Sequence, residues 1–228
     1  KKLLSLLLAL CLVMALVPMT AFAADTMDTW DGTADTSWYD ENKTEFHLQT
    51  AEQLAGMAKL VNDNTANFKD KTVYLDNDLD LGGHEWISIG NGANTAVGSF
   101  QGIFDGQSHV VYNLYSHEGL KSENKDNNNN LYRNGLFGAI YNATVQNLGI
   151  ENADIVIPMN DTSTYGKGIL VDWMTYSTIK NCYTTGSITG GSYIEKFIGG
   201  IAGFLNGNNS ISQCYSTAAI TGNYDGEY

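Results

Sequence analysis

The chain has 228 residues, 43% of them hydrophobic, with 24 glycines, only 2 prolines and a formal net charge of −13. That apolar fraction excludes wholesale disorder, and the glycine and proline counts exclude a collagen-like or proline-rich chain. The acidic balance, with Arg133 as the single arginine, argues against nucleic-acid binding, and against anionic membranes and polyuronic acids unless a cation intervenes.

In chain order, the first predicted element is a secretion leader over residues 1–23. Lys1-Lys2 form a positive n-region, Leu3 to Val17 an apolar h-region, and Ala21-Phe22-Ala23 the small-x-small pattern read by signal peptidase. The apolar run breaks at Pro18 and is short for a membrane span, so no membrane insertion is expected after leader removal. Cys11 leaves with it, and Cys182 and Cys214 are too few for a disulfide framework. Residues 24–70 read as an N-terminal segment with one capping helix. Thr50 is its N-cap, Gln53 takes the capping-box position, and Leu54, Met57, Ala58 and Val61 share one face.

Residues 71–228 read as stacked strands. Leu75, Leu79 and Leu81 alternate with Asp76, Asp78 and Asp80, and Trp86-Ile87-Ser88-Ile89 and Phe100 to Gly106 supply further short strands of irregular first coils. Self-similarity then takes over. Val111-Tyr112-Asn113-Leu114, Val145-Gln146-Asn147-Leu148, Ile179-Lys180-Asn181-Cys182 and Ile211-Ser212-Gln213-Cys214 recur at spacings of 34, 34 and 32 residues. A second phase runs through Gly135-Leu136-Phe137-Gly138, Gly168-Ile169-Leu170-Val171 and Gly200-Ile201-Ala202-Gly203. A strand-only unit of this length cannot close its own core, but it can when stacked at about 4.8 Å per coil. The expected fold is therefore all-β: a right-handed parallel β-helix, or solenoid, with an N-terminal capping α-helix.

Two columns follow from that alignment. Asn113, Asn147, Asn181 and Gln213 are expected to form an internal amide ladder, each carboxamide donating to one neighbour and accepting from the other; the competing reading is that these amides only mark turns. Leu114, Leu148, Cys182 and Cys214 are expected to form an inward stack, with the two thiols acting as small hydrophobes. The polar stretch Lys121 to Asn130 reads as a loop projecting from the stack. After Gly222 the next Gly-apolar element falls due beyond Tyr228, so further domains C-terminal to Tyr228 are expected.

The Gly-apolar-x-Gly steps at Gly135 and Gly200, each followed by a Val/Ile-x-Asn/Gln-Leu/Cys step, resemble GLUG-motif repeats. The upstream Phe100-x-Gly102-x-Phe104-Asp105-Gly106, with His109 and Asn113-Leu114, is similar as well. The resemblance covers roughly residues 71–222. It implies a secreted or surface bacterial protein, adhesin-like and built as a right-handed parallel β-helix. The middle unit departs at Val171-Asp172, where its siblings carry glycine and then an apolar residue, and Trp173 is expected to project there.

Candidate chemistry is sparse. Alternate carboxylates in Asp76-Asn77-Asp78-Leu79-Asp80 could hold Ca²⁺, but a solvated strand face is the simpler reading, and no metal or other cofactor is predicted. Asp105, Asp154 and Asp172 could line one face, yet nothing in the sequence pairs them as glycosidase acids. His47, His84, His109 and His117 show no metal-ligand spacing. Among the aromatics, which include Trp30, Trp38, Tyr39, Trp86, Tyr176 and Tyr193, the repeated Tyr183 and Tyr215, with Trp173, are the best candidates to stack on a neutral glycan. Packing and a stacked surface column are the competing roles.

The expectation is a non-catalytic extracellular repeat module, attached to the cell surface or secreted, serving adhesion, ligand presentation or spacing. Its partner would be a host or microbial surface glycan or protein. The alternatives are a carbohydrate-active β-helix enzyme (a polysaccharide lyase or glycoside hydrolase) and a glycan-binding accessory module of a larger enzyme.

Overall fold

The computed structural model describes residues 27–92, 96–123, 130–158, 166–190 and 197–222; the leader, Cys11 and Tyr193 lie outside them. The chain forms a parallel β-helix of about four turns with one short helix. The first rung is β1 (Glu45–Leu48), followed by α1 (Ala51–Asn62). β2 (Thr72–Leu75) and β3 (Leu79–Asp80) open the next coil, and β4 (Ile103–Asp105), β5 (Val110–Tyr112) and β6 (Tyr115–Ser116) the one above. That coil carries an antiparallel hairpin of β7 (Leu120–Glu123) and β8 (Asn130–Arg133) before it closes through β9 (Phe137–Tyr141). Next come the long strand β10 (Thr144–Val156), β11 (Lys167–Gly168) and β12 (Val171–Thr175), then β13 (Thr178–Gly190), β14 (Ile198–Gly199) and β15 (Ala202–Asn206). The uppermost described rung is β16 (Ser210–Ser212), β17 (Tyr215–Ser216) and β18 (Ala219–Gly222).

Register explains why apolar residues recur. Phe46, Val73, Phe104, Val145, Ile179 and Ile211 lie over one another through β1, β2, β4, β10, β13 and β16. Leu79, Val111, Ile150, Thr184 and Ser216 form a second column, and Ser116, Ile155, Ile188 and Ile220 a third. Ile140, Met174 and Leu205 form a fourth, on the separate sheet of β9, β12 and β15. Stacking like on like removes each apolar row from water on both sides, so most of these side chains merge into one core cluster running from Trp30 to Ile188.

α1 closes the lower end. Thr50 accepts from the Gln53 N–H at 3.4 Å, and Gln53 Oε1 reaches back to the Gln49 N–H at 2.7 Å, one residue before the N-cap. Leu54, Met57, Ala58 and Val61 are buried in the same core as Phe46 and Leu48. Asn62 ties the helix end to the coil of β2 and β3 by donating to the Ser88 carbonyl and accepting from the Gly90 N–H. Trp38 and Tyr39 pack on Phe46 at 5.4 and 5.5 Å between ring centroids.

Three expectations change. The parallel stack starts at β1, inside the segment assigned to the N-terminal cap, because Phe46 and Leu48 already face the core. The ends of the Lys121–Asn130 stretch are the paired strands β7 and β8, while 124–129 fall outside the described residues. The third change is in the alignment itself. Val145 lies over Phe104, and Val111 lies beneath Ile150, so Val111-Tyr112-Asn113-Leu114 is not the unit below Val145-Gln146-Asn147-Leu148. The hairpin lengthens that coil, so the 34-residue spacing joins two different corners.

Candidate functional site

The polar chemistry of the described residues is concentrated on the outer face of the main sheet and at its corners. Along Asp76-Asn77-Asp78-Leu79-Asp80 every carboxylate meets donors from other coils or from its own turn. Asp76 lies 2.9 and 3.0 Å from His47 Nδ1 and accepts from Gln107 Nε2 at 2.7 Å. The His47 hydrogen bond leads the causes that hold the Asp76 carboxyl below the ordinary carboxylate range. Asp78 pairs with His109 Nδ1 at 2.9 Å and the Val110 N–H at 3.0 Å. Asp80 accepts from Asn113 Nδ2 at 2.7 Å and the Gly82 N–H at 2.8 Å. The run acts as a set of inter-coil connectors. Among the described residues no group of three or more His, Cys, Asp or Glu gathers so as to hold a metal ion.

The register sorts the four expected ladder residues into two columns. Asn181 Nδ2 donates to Asn147 Oδ1 at 2.8 Å, Asn147 Nδ2 donates to Asp105 Oδ1 at 2.9 Å, and Gln213 stands next in register above Asn181. Asn113 belongs to a different ladder, in which Asn152 Nδ2 donates to Asn113 Oδ1 at 2.6 Å and Asn113 donates to Asp80. Both ladders end at an aspartate, and an acceptor-only carboxylate is a natural terminus for a chain of amide donors. All five amide residues adopt left-handed backbone, with φ between 52° and 59°, so corner and ladder are one feature. The ladders are not internal. Asn113 and Asn147 are half-buried, and Asn152, Asn181 and Gln213 are exposed, because a left-handed corner turns the side chain outward along the edge of the stack. Asp105 and Asn152 were not recognised as ladder members from sequence; the Phe-Asp-Gly and Glu-Asn-Ala corners were their only signal. Burial raises the Asp105 pKa, but hydrogen bonds from Asn147, the Gln107 N–H and Gln146 outweigh it and leave the carboxyl below its ordinary value.

In the expected inward stack, Leu148 and Cys182 are buried and in register, and half-buried Cys214 stands above them. Both cysteines are free thiols. Burial pushes the Cys182 thiol up to about 12, which makes it a poor nucleophile. Leu114 is also buried, but it follows the other corner, one residue below the Asp154–Tyr115 pair.

Tyr183 and Tyr215 stack with centroids 5.3 Å apart and planes 6° from parallel. The Tyr183 ring lies over Gly149, where a Cβ would come within 2.6 Å of it, so the glycine makes room for the ring. Its hydroxyl donates to Glu151 Oε1 at 2.6 Å, and burial together with Glu151 raises the phenol above its ordinary range. The stacking direction is the coil direction, so neighbouring coils occupy ring surface that a sugar would use. Trp173 corrects the expectation of a projecting ring. It is 6% exposed on β12, packs on Phe204 at 4.4 Å and lies 5.7 Å from the Arg133 guanidinium. Arg133 is the last residue of hairpin strand β8, so the hairpin brings the guanidinium over that face. Trp173 also sits on a different sheet from Tyr183 and Tyr215.

The three candidate acids do not converge. Asp105 anchors a ladder, and Asp154 pairs with His117 Nε2 at 3.1 Å. Asp172 is fully buried near Lys167 and Arg133, and it accepts from the Asn134, Gly135 and Gly168 N–H groups at 2.7, 3.2 and 2.9 Å. Burial raises its pKa against the pull of the two cations. By register its counterparts are Gly138 and Gly203, so the repeat's glycines match Asp172 rather than Val171.

One open groove of ≈ 360 Å³ gathers several of these groups: Asp80, Asn113, Tyr115, Asn152 and Asp154. The His117 ring stacks on Tyr115 with centroids 4.0 Å apart. Two carboxylates, two amides and a ring are chemistry suited to the hydroxyls of a neutral polyol. No protein-family model, curated protein or solved structure matches the chain.

Proposed function

We propose that the chain is a non-catalytic extracellular module of a secreted or cell-surface bacterial protein, a GLUG-like solenoid that presents a rigid face for adhesion or spaces further domains. One observation carries this reading: the polar groups of the outer face are spent on bonds between coils. Asp76, Asp78, Asp80, Asp105, Asn113, Asn147 and Asn181 each link one coil to another. Groups used in this way stiffen a rod, whereas catalysis on a glycosidic bond needs two carboxyls facing each other across substrate. Incubation with a panel of neutral and acidic polysaccharides is expected to release no reducing ends and no unsaturated products. Either product would overturn the reading in favour of a carbohydrate-active enzyme.

A second reading, a glycan-binding accessory module, is favoured by the groove of Asp80, Asn113, Tyr115, Asn152 and Asp154. Binding of a neutral oligosaccharide that is lost in Tyr115→Ala, with the fold intact, would support it.

A further inference from the structure

Left-handed backbone is common at the corners of this stack, and most of it falls on Gly, Asn and other small or polar residues that enter it at little cost. Two aromatic residues break the pattern, Phe68 with φ 61° and Tyr176 with φ 48°. A bulky side chain there is a steric outlier. Phe68 is 1% exposed, so its burial in the core offsets the strain, whereas Tyr176 is 52% exposed and has no such compensation. Strain that the core does not explain points to a role for the side chain. Nothing in the corner demands a ring. Thr175 pairs with Tyr141 on one side and Asn206 on the other, so Asn142, Tyr176 and Gly207 follow at one corner of three successive coils, with φ 48°, 48° and 72°. The two counterparts of Tyr176 are residue types that the left-handed region favours.

The surroundings are built to hold the ring in place. A Cβ on Gly207 would come within 2.3 Å of the Tyr176 ring, so the glycine leaves space for it, and the Tyr141 ring meets it edge-on at 6.0 Å and 88°. Asn142 is exposed, and among the described residues its carboxamide has no hydrogen-bond partner, unlike the ladder amides Asn113, Asn147 and Asn181. The corner is also free of charge. Residues 139–146, 173–179 and 203–212 contain no Asp, Glu, Lys or Arg, in a chain whose formal net charge is −13. An exposed ring, a second ring at its edge, an uncommitted amide and no ion suit a neutral pyranose, whose C–H face stacks on the ring while its hydroxyls bond the amide. We propose that Tyr176 is the platform of a binding subsite for a neutral glycan, flanked by Tyr141 and Asn142. This rests on the reading of the chain as a non-catalytic module with a glycan partner. The subsite shares no residue with the groove of Asp80 and Tyr115.

A ring held against its backbone preference separates binding from stability. Tyr176→Asn installs the residue found at the same corner one coil below, so it relieves the strain and removes the platform. The experiment is affinity electrophoresis of the full chain through gels containing galactomannan, xyloglucan or arabinoxylan, with polygalacturonate as the charged control. At least one neutral polymer is expected to retard the parent chain, and added salt to leave that retardation unchanged. Tyr176→Asn is expected to weaken binding about tenfold, the equivalent of one ring-stacking contact, while its thermal midpoint stays level or rises. Tyr176→Phe keeps the ring and is expected to bind as the parent does. Three results would overturn the inference: no retardation by any neutral polymer, undiminished retardation of Tyr176→Asn, or a lowered midpoint in Tyr176→Asn, because the ring would then serve the fold. Binding that is lost in Tyr115→Ala but kept in Tyr176→Asn would put the sugar in the groove, so that the glycan reading stands while this inference fails. Released reducing ends would sink the non-catalytic reading and leave the dependence on Tyr176 untouched.

Discussion

The lowest and uppermost described coils of this solenoid differ in how much of each apolar column is covered. Below, the core of Phe46 and Leu48 is sealed by α1 and by the rings of Trp38, Tyr39 and Phe68, and Asp and Glu residues are frequent in the surrounding sequence. Above, the Phe46 column reaches half-exposed Ile211, and the Ile188 and Met174 columns reach Ile220 and Leu205, in a stretch with no charge between Phe197 and Gly222. A column residue therefore gains its stability from the coils on both sides of it, and position along the axis matters as much as residue type.

The sharpest way to break this comparison uses one column at two heights. Ile188→Ala, inside the stack, is expected to cost about 2–5 kcal/mol of unfolding free energy, the range for a fully buried aliphatic truncation. Ile220→Ala, one rung up, is expected to cost roughly 1 kcal/mol or less, because half of its side chain already meets water. Equal losses in denaturant melts would show that the upper rung is as closed as the lower ones.

The ladders sharpen the contrast at a smaller scale. Asn147 both accepts from Asn181 and donates to Asp105, so Asn147→Leu is expected to destabilise by roughly 1–3 kcal/mol. Gln213→Leu at the top of the same column is expected to change stability much less. An unaltered midpoint for Asn147→Leu would reduce the ladder to a row of corners.

The smallest expected effect is on acid stability. Asp76 and Asp105 have carboxyl pKa values held below the unfolded value of about 3.9. Their contribution is therefore complete above about pH 4 and is lost as pH falls through the lower folded values. Thermal midpoints taken downward from pH 5 should drop more steeply for the parent chain than for Asp105→Asn. Parallel curves would show that the Asp105 contacts add nothing to folding.

The helix was legible in sequence because its signals are local: a cap at Thr50, a glutamine three residues on, and one apolar face. The upper coils were legible because no insertion separates Val145, Ile179 and Ile211 beyond a near-constant spacing. The errors came from degeneracy. Both corners of a coil ask for the same three things, an apolar residue, a left-handed amide and an inward apolar residue, so Val111-Tyr112-Asn113-Leu114 and Val145-Gln146-Asn147-Leu148 look like one site repeated. They are two sites, and only strand pairing tells them apart. Trp173 failed for a related reason: Phe204 and Arg133, which cover it, come from the next coil and from a hairpin about forty residues away, and alternation along β12 carries no trace of either.

What the sequence by itself determined is the stack: periodic apolar residues with corner amides fold as coils because only neighbouring coils can bury their faces. What the tertiary structure decided is which corner lies over which, where the ladders end, and which rings are covered. Those outcomes depend on the length of each coil and on pairings between residues about thirty to forty positions apart, distances over which a local pattern fixes periodicity but not register.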